Sequence, residues 1–294
     1  MDVDGLANGL ANRPADRLAE FVTAHAPLFV ITGAGCSTES GIADYRGRDG
    51  KWKRPMPVQL SEFLALPAAR RRYWARSMVG WPEFEAAQPN AAHRGLAALE
   101  RAGLLEILVT QNVDRLHHEA RHKAVIELHG RLDRVICVDC GREVSRGSVQ
   151  RWLESHNARF VGRAAPRAPD GDADLALVEA DNLDDFSIPS CPHCGGMMKP
   201  DVVFYGESVP KPRVVESYRA LERSRGVLIV GSSVSVFSSF RFCRKAAELA
   251  LPIAAVNQGV TRADELLEFK IDSAAGATMA ALACALCAPP SAPL

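Results

Sequence analysis

The sequence predicts an α/β protein: a doubly wound, parallel, Rossmann-like sheet carrying a smaller inserted zinc-binding module and a helical lobe. Three observations predict it. Short apolar runs alternate with stretches of helical spacing, the pattern of a parallel sheet wrapped by helices. Two of those runs open into glycine-rich loops, Phe29-Val-Ile-Thr-Gly-Ala-Gly35 and Val227-Leu-Ile-Val-Gly-Ser-Ser233. Between these loops lie two Cys-x-x-Cys pairs, Cys137/Cys140 and Cys191/Cys194, the ligand spacing of a closed tetrahedral zinc site.

In chain order, residues 15–26 place Leu18, Phe21 and Val22 on one helical face, and Pro27 ends that helix. Leu28–Thr32 is a short buried strand. The stretch from Trp52 to Phe84, rich in Arg, Trp, Pro and Met, reads as a helical lobe without strands, covering the glycine loop. Asn90–Ala102 is a helix, Leu105–Thr110 a strand leading into Gln111-Asn-Val-Asp114, and Val125–Leu128 a third strand running into His129-Gly130. Val227–Val230 and Ile253–Val256 are further buried parallel strands, flanking a helix around Phe240–Leu249. A last helix over Ala277–Leu286 precedes a Pro/Ala tail expected to be disordered.

The cysteine module spans roughly 134–199. Within it, residues 161–187 are acidic and Ala/Pro-rich, a long solvated or folded-back loop. A redox dithiol is the alternative for the cysteine pairs, but they recur and lack a thioredoxin context. Cys284-Ala-Leu-Cys287 has the same spelling without a partner pair, so it reads as helix packing, as does Cys243, while Cys36 reads as a small filler.

Lys+Arg and Asp+Glu balance at 35 each in 294 residues, which gives no sign of a nucleic-acid or membrane surface. Met1-Asp-Val-Asp4 is acidic with no apolar stretch behind it, and no apolar run reaches membrane-spanning length. With paired cysteines, this predicts a reducing, cytoplasmic setting.

Four polar loops follow four strands and fall at one edge of the predicted sheet, where open α/β sheets bind ligands. Gly33-Ala-Gly35 lets backbone N–H groups approach a pyrophosphate. Gln111 and Asn112 offer amide donors and acceptors suited to a carboxamide. Gly231-Ser-Ser233 and Asn257-Gln-Gly259 add hydroxyls and amides for ribose or phosphate. A hydride-transferring dehydrogenase would need an acidic residue ending the second strand, and none is evident.

Taken together, Thr32-Gly-Ala-Gly-Cys-Ser-Thr-Glu-Ser-Gly-Ile-Ala-Asp-Tyr-Arg46, Gln111-Asn-Val-Asp-Arg-Leu-His117, Glu127-Leu-His-Gly130, the cysteine pairs and Lys199-Pro-Asp-Val-Val-Phe-Tyr-Gly-Glu207 resemble the sirtuins, over residues 18 to 283. The resemblance implies an NAD-dependent protein-lysine deacylase releasing nicotinamide and O-acyl-ADP-ribose, with one structural Zn2+ on Cys137, Cys140, Cys191 and Cys194. It implies NAD contacts from Gly33, Ala34, Gly35, Ser37, Glu39, Asp44, Tyr45, Arg46, Gln111, Asn112, Asp114, Gly231, Ser232, Ser233, Asn257, Gln258, Gly259 and Ala275. His129 is the implied general base, with Asn112 and Asp114 beside it. His117, His118 and His122 read as packing or surface groups, and His193 as no ligand because four thiolates already fill a tetrahedron.

Val203, Phe204, Tyr205, Gly206, Glu207 and Val234 would clamp an acyl-lysine peptide as an added strand. The implied domains are 14–45, 93–133 and 200–284 for NAD, 46–92 as helical lobe, 134–199 as zinc module with its insertion at 161–187, and 285–294 as tail. Ser37–Gly41, Arg72-Tyr-Trp-Ala-Arg76, Val79-Gly-Trp-Pro82 and the long insertion are similar to the class II branch, which includes mitochondrial lipoamidase-like members. Ala43 replaces a usual Pro and Tyr205 a common Phe; neither removes a polar group from the chemistry.

Tyr73 and Arg76 share a helical face and suit an acyl group with a distal carboxylate, although an arginine-rich solvated helix gives the same spelling. The implied partners are acyl-lysine proteins or peptides, with no nucleic acid and no membrane, bound by a monomer. Mono-ADP-ribosyl transfer from the same NAD site is the alternative activity. A non-catalytic NAD-binding module is a second alternative, against which His129 and Gln111–Asp114 speak.

Overall fold

A computed structural model describes residues 14–53, 57–162 and 183–287. Most of the acidic insertion and most of the tail singled out above lie outside the described residues. The described residues begin with α1 (Pro14–His25) and β1 (Leu28–Thr32), then α2 (Leu60–Ala65), α3 (Pro67–Glu85), α4 (Ala91–Arg101) and β2 (Leu105–Thr110). Next come α5 (Leu116–Glu119), β3 (Val125–Glu127), β4 (Gly130–Cys137), β5 (Glu143–Ser145), α6 (Arg146–His156) and β6 (Met198–Val202). The chain finishes with α7 (Lys211–Arg223), β7 (Gly226–Val230), α8 (Phe237–Glu248), β8 (Ile253–Val256), β9 (Phe269–Ile271) and α9 (Ala275–Cys287).

Six strands form one sheet in the order β3-β2-β1-β7-β8-β9, with every neighbouring pair parallel. The crossover direction reverses between β1 and β7, which makes the carboxyl ends of those two strands the natural binding crevice. Strand alternation divides the core between the two faces. Leu28 and Val30 pack with Leu18, Phe21, Leu96 and Met279 of α1, α4 and α9. Phe29 and Ile31 pack with Leu221, Phe242 and Ala246 of α7 and α8. Strands buried on both faces explain why these runs are continuously apolar.

β9 and α7 have no counterpart in the sequence reading. β9 is only three residues long, too short for a periodicity. α7 starts behind Pro210 with a second proline in its first turn, where a missing N–H costs nothing. The helix expected at 240–249 starts at Phe237 instead, a difference that matters for the site.

A second, antiparallel sheet of order β5-β4-β6 carries the cysteines. Val135, Cys137, Leu153, Cys191 and Met198 share one buried cluster with Phe63, Tyr73, Trp74 and Met78 of the helical lobe. The Arg146 guanidinium, fully buried, lies 4.8 Å from the Trp81 ring and donates to the Ser77 carbonyl at 2.9 Å. The lobe and the cysteine-bearing sheet therefore have a common apolar interior. In α9, Cys284 is exposed and only Cys287 packs against the core, which corrects the expectation of a buried pair. Among the described residues no helix is long and apolar enough to cross a membrane.

Candidate active site

A cleft of about 640 Å³ lies between the carboxyl edge of the parallel sheet and the smaller unit. Its sheet side is lined by Gly33, Ala34, Gly35, Ser37, Gln111, Asn112, Asp114, Gly231, Ser232, Ser233, Asn257 and Gln258, and by Asp44, Tyr45 and Arg46 from the loop after β1. Its other wall is Val203, Phe204, Tyr205, Gly206, Glu207 and Tyr73. His129 lies between the two.

The close approach of the two glycine loops is what shapes the crevice. Gly231 has φ 58, and a Cβ there would lie 2.3 Å from the Cys36 amide nitrogen. A Cβ on Gly33 would lie 2.8 Å from the Ser232 side chain. Gly231→Ala is therefore expected to cost ~1–3 kcal/mol in backbone strain and to weaken nucleotide affinity. Thermal unfolding and nucleotide titration of that variant check it.

The polar groups are held by one another. Ser37 Oγ donates to Asp114 Oδ2 at 2.6 Å, and the Leu116 amide donates to Oδ1 at 2.9 Å. Burial pushes the Asp114 carboxyl up, and these two hydrogen bonds oppose the shift. Asn112 Nδ2 donates to the Gly33 carbonyl and to Ser37 Oγ, each at 3.0 Å. Gln111 Nε2 donates to Ser232 Oγ at 2.6 Å, joining the β2 loop to the β7 loop. The loop after β1 is fastened by stacking: the Arg46 guanidinium lies 4.2 Å from the Trp52 ring, which meets Tyr205 edge-on at 5.6 Å.

His129 sits between β3 and β4. Its Nδ1 is 3.1 Å from the Gln111 carbonyl and its Nε2 is 2.8 Å from Ser238 Oγ. A carbonyl only accepts, so Nδ1 carries the proton and Nε2 presents its lone pair. Desolvation, with a smaller push from Arg213 and against the Gln111 hydrogen bond, lowers the His129 pKa to about 4. The imidazole is neutral at pH 7, the state a general base requires.

Five residues expected at the site are not among those lining the cleft. Glu39 is turned away, its carboxylate lying where a Cβ on Gly276 would go, at the start of α9. Val234 is buried in the core under α8, and Ala275 in the core on the opposite face. Gly259 packs beneath the Arg48 backbone. Arg76 is three residues beyond Tyr73, which on a helix places it about 60° around the axis; only Tyr73 reaches the cleft. Conversely, Ile42, Val58, Leu132, Ser238 and Arg241 line it without having been singled out in the sequence.

Behind the glycine loop His117 and His122, expected as packing or surface groups, are buried together with His93, which the sequence reading had not singled out. The rings of His93 and His117 are 4.7 Å apart, and those of His117 and His122 are 5.2 Å apart. The Asn90 amide donates to His93 Nδ1 at 3.2 Å. Burial lowers His93 to about 3 and lowers His117 and His122 too. These rings are neutral when folded and protonate below about 6.5 when unfolded, so their contribution is complete above that pH and lost as pH falls toward 3. The melting temperature is expected to drop between pH 7 and 5, and less so in His93→Gln, which retains an acceptor for Asn90.

The thiols of Cys137 and Cys194 are 3.6 Å apart, and those of Cys140 and Cys191 are 3.7 Å apart. A tetrahedral Zn–S4 centre with 2.3 Å bonds has edges of about 3.8 Å, so the four sulfurs fit that ion. Gly141 and Gly195 follow each pair at φ 73 and 74, and their amides return to the Cys137 and Cys191 carbonyls. Both turns are thereby closed around the sulfurs.

Residues 33–238 match the model of the Sir2 family. A protein of Xanthomonas campestris described as an NAD-dependent protein deacetylase is 53% identical over 265 residues, covering 90% of this chain and 89% of its own. One of the same description from Bordetella bronchiseptica is 53% identical over 244 residues, covering 83% and 88%. A solved structure of Sir2 with a p53 peptide and NAD+ superposes with a TM-score of 0.69 at 26% identity, covering 91% of this chain and 96% of that one. With its motifs, sheet order and cysteine cluster in agreement with these matches, this chain belongs to the Sir2 family.

Proposed function

We propose that this protein is an NAD-dependent protein-lysine deacylase that releases nicotinamide and O-acyl-ADP-ribose. The observation that carries the reading is His129, a neutral imidazole in a cleft with amide-lined loops on one wall and Val203–Glu207 on the other. Homologues bear the deacetylase description, and sirtuins are solved with acyl peptides, including a propionylated one.

The cradle suits NAD. The Gly33, Gly35 and Gly231 backbones lie so close together that a side chain on any of them would collide with the facing loop, and all three line the cleft, where bare backbone suits a pyrophosphate. Asn112 and Asp114, fixed through Ser37, and Gln111, fixed through Ser232, would read the nicotinamide ribose half. Ser232, Ser233, Asn257 and Gln258 would hold the adenosine half; Glu39, Gly259 and Ala275 would act through backbone packing. When bound, NAD supplies the ADP-ribosyl acceptor for the acyl group. His129 would be the final acceptor of the ribose hydroxyl proton, at Nε2, and Asp114 would keep the surrounding amides oriented.

On the peptide side the Val203 amide donates to the His129 carbonyl at 2.8 Å, so the base and the peptide wall move as one. Glu207 Oε2 accepts from the Phe204 amide at 2.9 Å and pairs with Lys199 at 3.0 Å, stiffening the turn. Val203–Glu207 would add the substrate as a strand, with Val234 as support from below. The division into NAD-binding segments, helical lobe and zinc module follows the same roles.

The class II reading adds longer or functionalised acyl groups as substrates, with Tyr73 at the chain's end and Arg76 behind it. Balanced charge supports protein, not nucleic acid, as partner, for a monomeric cytoplasmic enzyme. Mass spectrometry of products from NAD and a panel of acyl-lysine peptides tests the reading. Acyl-ADP-ribose is expected; nicotinamide release with ADP-ribose retained on protein would favour mono-ADP-ribosyl transfer instead. Preference for acetyl unaffected by Arg76→Ala would remove the class II substrate assignment.

A further inference from the structure

The lone pair that the base offers is already in use. A neutral imidazole has one in-plane lone pair, and with Nδ1–H spent on the Gln111 carbonyl at 3.1 Å, that lone pair is on Nε2. Ser238 Oγ lies 2.8 Å from it. The hydroxyl therefore donates its hydrogen to Nε2, and an incoming sugar hydroxyl finds no vacant acceptor on the ring. It does find Ser238, which lines the same cleft and whose Oγ keeps its acceptor lone pairs after donating its hydrogen.

We propose that Ser238 relays the proton between the sugar hydroxyl of the bound nucleotide and His129. This rests on the deacylase reading above. The balance is simple. The sugar O–H gives its proton to Ser238 Oγ while the original Ser238 proton passes to Nε2. The sugar oxygen keeps the electron pair of the broken O–H bond and becomes the nucleophile. Serine ends neutral, and the imidazole ends as imidazolium with protons on both nitrogens. The Gln111 carbonyl accepts from Nδ1–H before and after, so the ring does not turn during the transfer.

The fold places the relay firmly. Ser238 is the second residue of α8, whose first turn follows directly from the β7 glycine loop. Ser239 is anchored by its hydroxyl to the Val236 carbonyl at 3.1 Å, and Phe242 and Cys243, one turn on, are fully buried in the core. Neighbouring hydroxyls are engaged elsewhere: Ser233 and Ser235 bond each other at 2.9 Å. Ser238 is thus the hydroxyl on a rigid helix that meets Nε2, and an alanine in its place suits a helix.

The test compares wild type, Ser238→Ala and Ser238→Thr. Nicotinamide exchange into NAD, which needs no proton removal from the sugar, is expected to fall far less than acyl transfer in Ser238→Ala. Acyl transfer should fall on the order of 10²-fold in Ser238→Ala, the lower end of what general-base catalysis contributes, and recover in Ser238→Thr. A proton inventory in mixed H2O/D2O should show two protons in flight for wild type. In NAD-free protein, 15N spectra of the His129 ring should show a protonated Nδ1 and a hydrogen-bonded Nε2 whose signal moves in Ser238→Ala. Acyl transfer in Ser238→Ala equal to or faster than wild type means the serine is merely displaced, and overturns the relay. A wild-type Nε2–H also overturns it. Failure of wild type on every acyl peptide would instead refute the deacylase reading.

Discussion

Acyl transfer by His129→Ala is expected to fall by ~10²–10⁴, the usual contribution of a positioned general base, while NAD affinity changes little. The two expectations separate because the ring and the cofactor loops are anchored independently. Gln111 holds the ring through its backbone carbonyl, but holds Ser232 through its side chain at 2.6 Å. Removing the imidazole leaves that bridge, the Ser37–Asp114 pair and the glycine cradle intact. Single-turnover measurement beside a binding isotherm checks this. Parallel loss of binding and turnover would mean that the ring holds the cleft together and is not its base.

The same environment sets a pH expectation. A base acts when unprotonated, so activity is lost as pH falls through its pKa. With His129 near about 4, not 6.5, kcat/KM of the free enzyme is expected to hold from pH 7 to below 6. An acid limb centred at 6.5 that disappears in His129→Gln would show that the ring is solvated, contrary to the packing seen around it.

Loss of the tetrahedral thiolate centre is the other large expected effect. Structural zinc contributes an apparent ~10–16 kcal/mol in small modules, comparable to or larger than the ~5–15 kcal/mol that holds a typical domain folded. Cys191→Ser, or chelation, should therefore unfold the β5-β4-β6 sheet and α6. The damage is expected to spread, because Cys137 and Cys191 are buried in the same cluster as Phe63, Tyr73 and Phe204. Tyr73 and Phe204 belong to the peptide wall of the cleft and Phe63 packs against both, so peptide binding should vanish along with the metal. The six-stranded sheet has separate cores on its two faces and should persist. Limited proteolysis that cuts only the smaller unit, with metal content measured alongside, tests this. An unchanged melting curve in metal-free protein would make the four thiols dispensable.

Much of the molecule was legible before any coordinates. β1 and β8 fall at the residues expected, because a strand buried on both faces must be apolar throughout and glycine or polar residues must follow it. The cysteine quartet was legible for a similar reason: the turn that brings two sulfurs together is local, and its residues are adjacent in the chain. The short β9 and the earlier start of α8 were not legible, since three residues carry no period and Ser-Ser reads as loop; α7 was passed over although Val214, Tyr218 and Leu221 recur at helical spacing, because its start is flanked by two prolines. The shift of α8 had the largest consequence, because it places Ser238 in the first helical turn and against the base.

By itself, then, the sequence determined the chemistry and the sheet: which strands alternate with helices, which loops carry amides and hydroxyls, and which thiols share a turn. Those properties depend on residues within one or two turns of each other, where period and backbone preference act directly. Only the tertiary structure decided which nitrogen of His129 carries the proton, since its two partners lie 18 and 109 positions away. It also decided that Tyr73 and not Arg76 lines the cleft, that three histidines are buried together, and that lobe and zinc module have one interior. Such contacts follow from which surfaces exclude water together when the chain closes, and no local pattern records that choice.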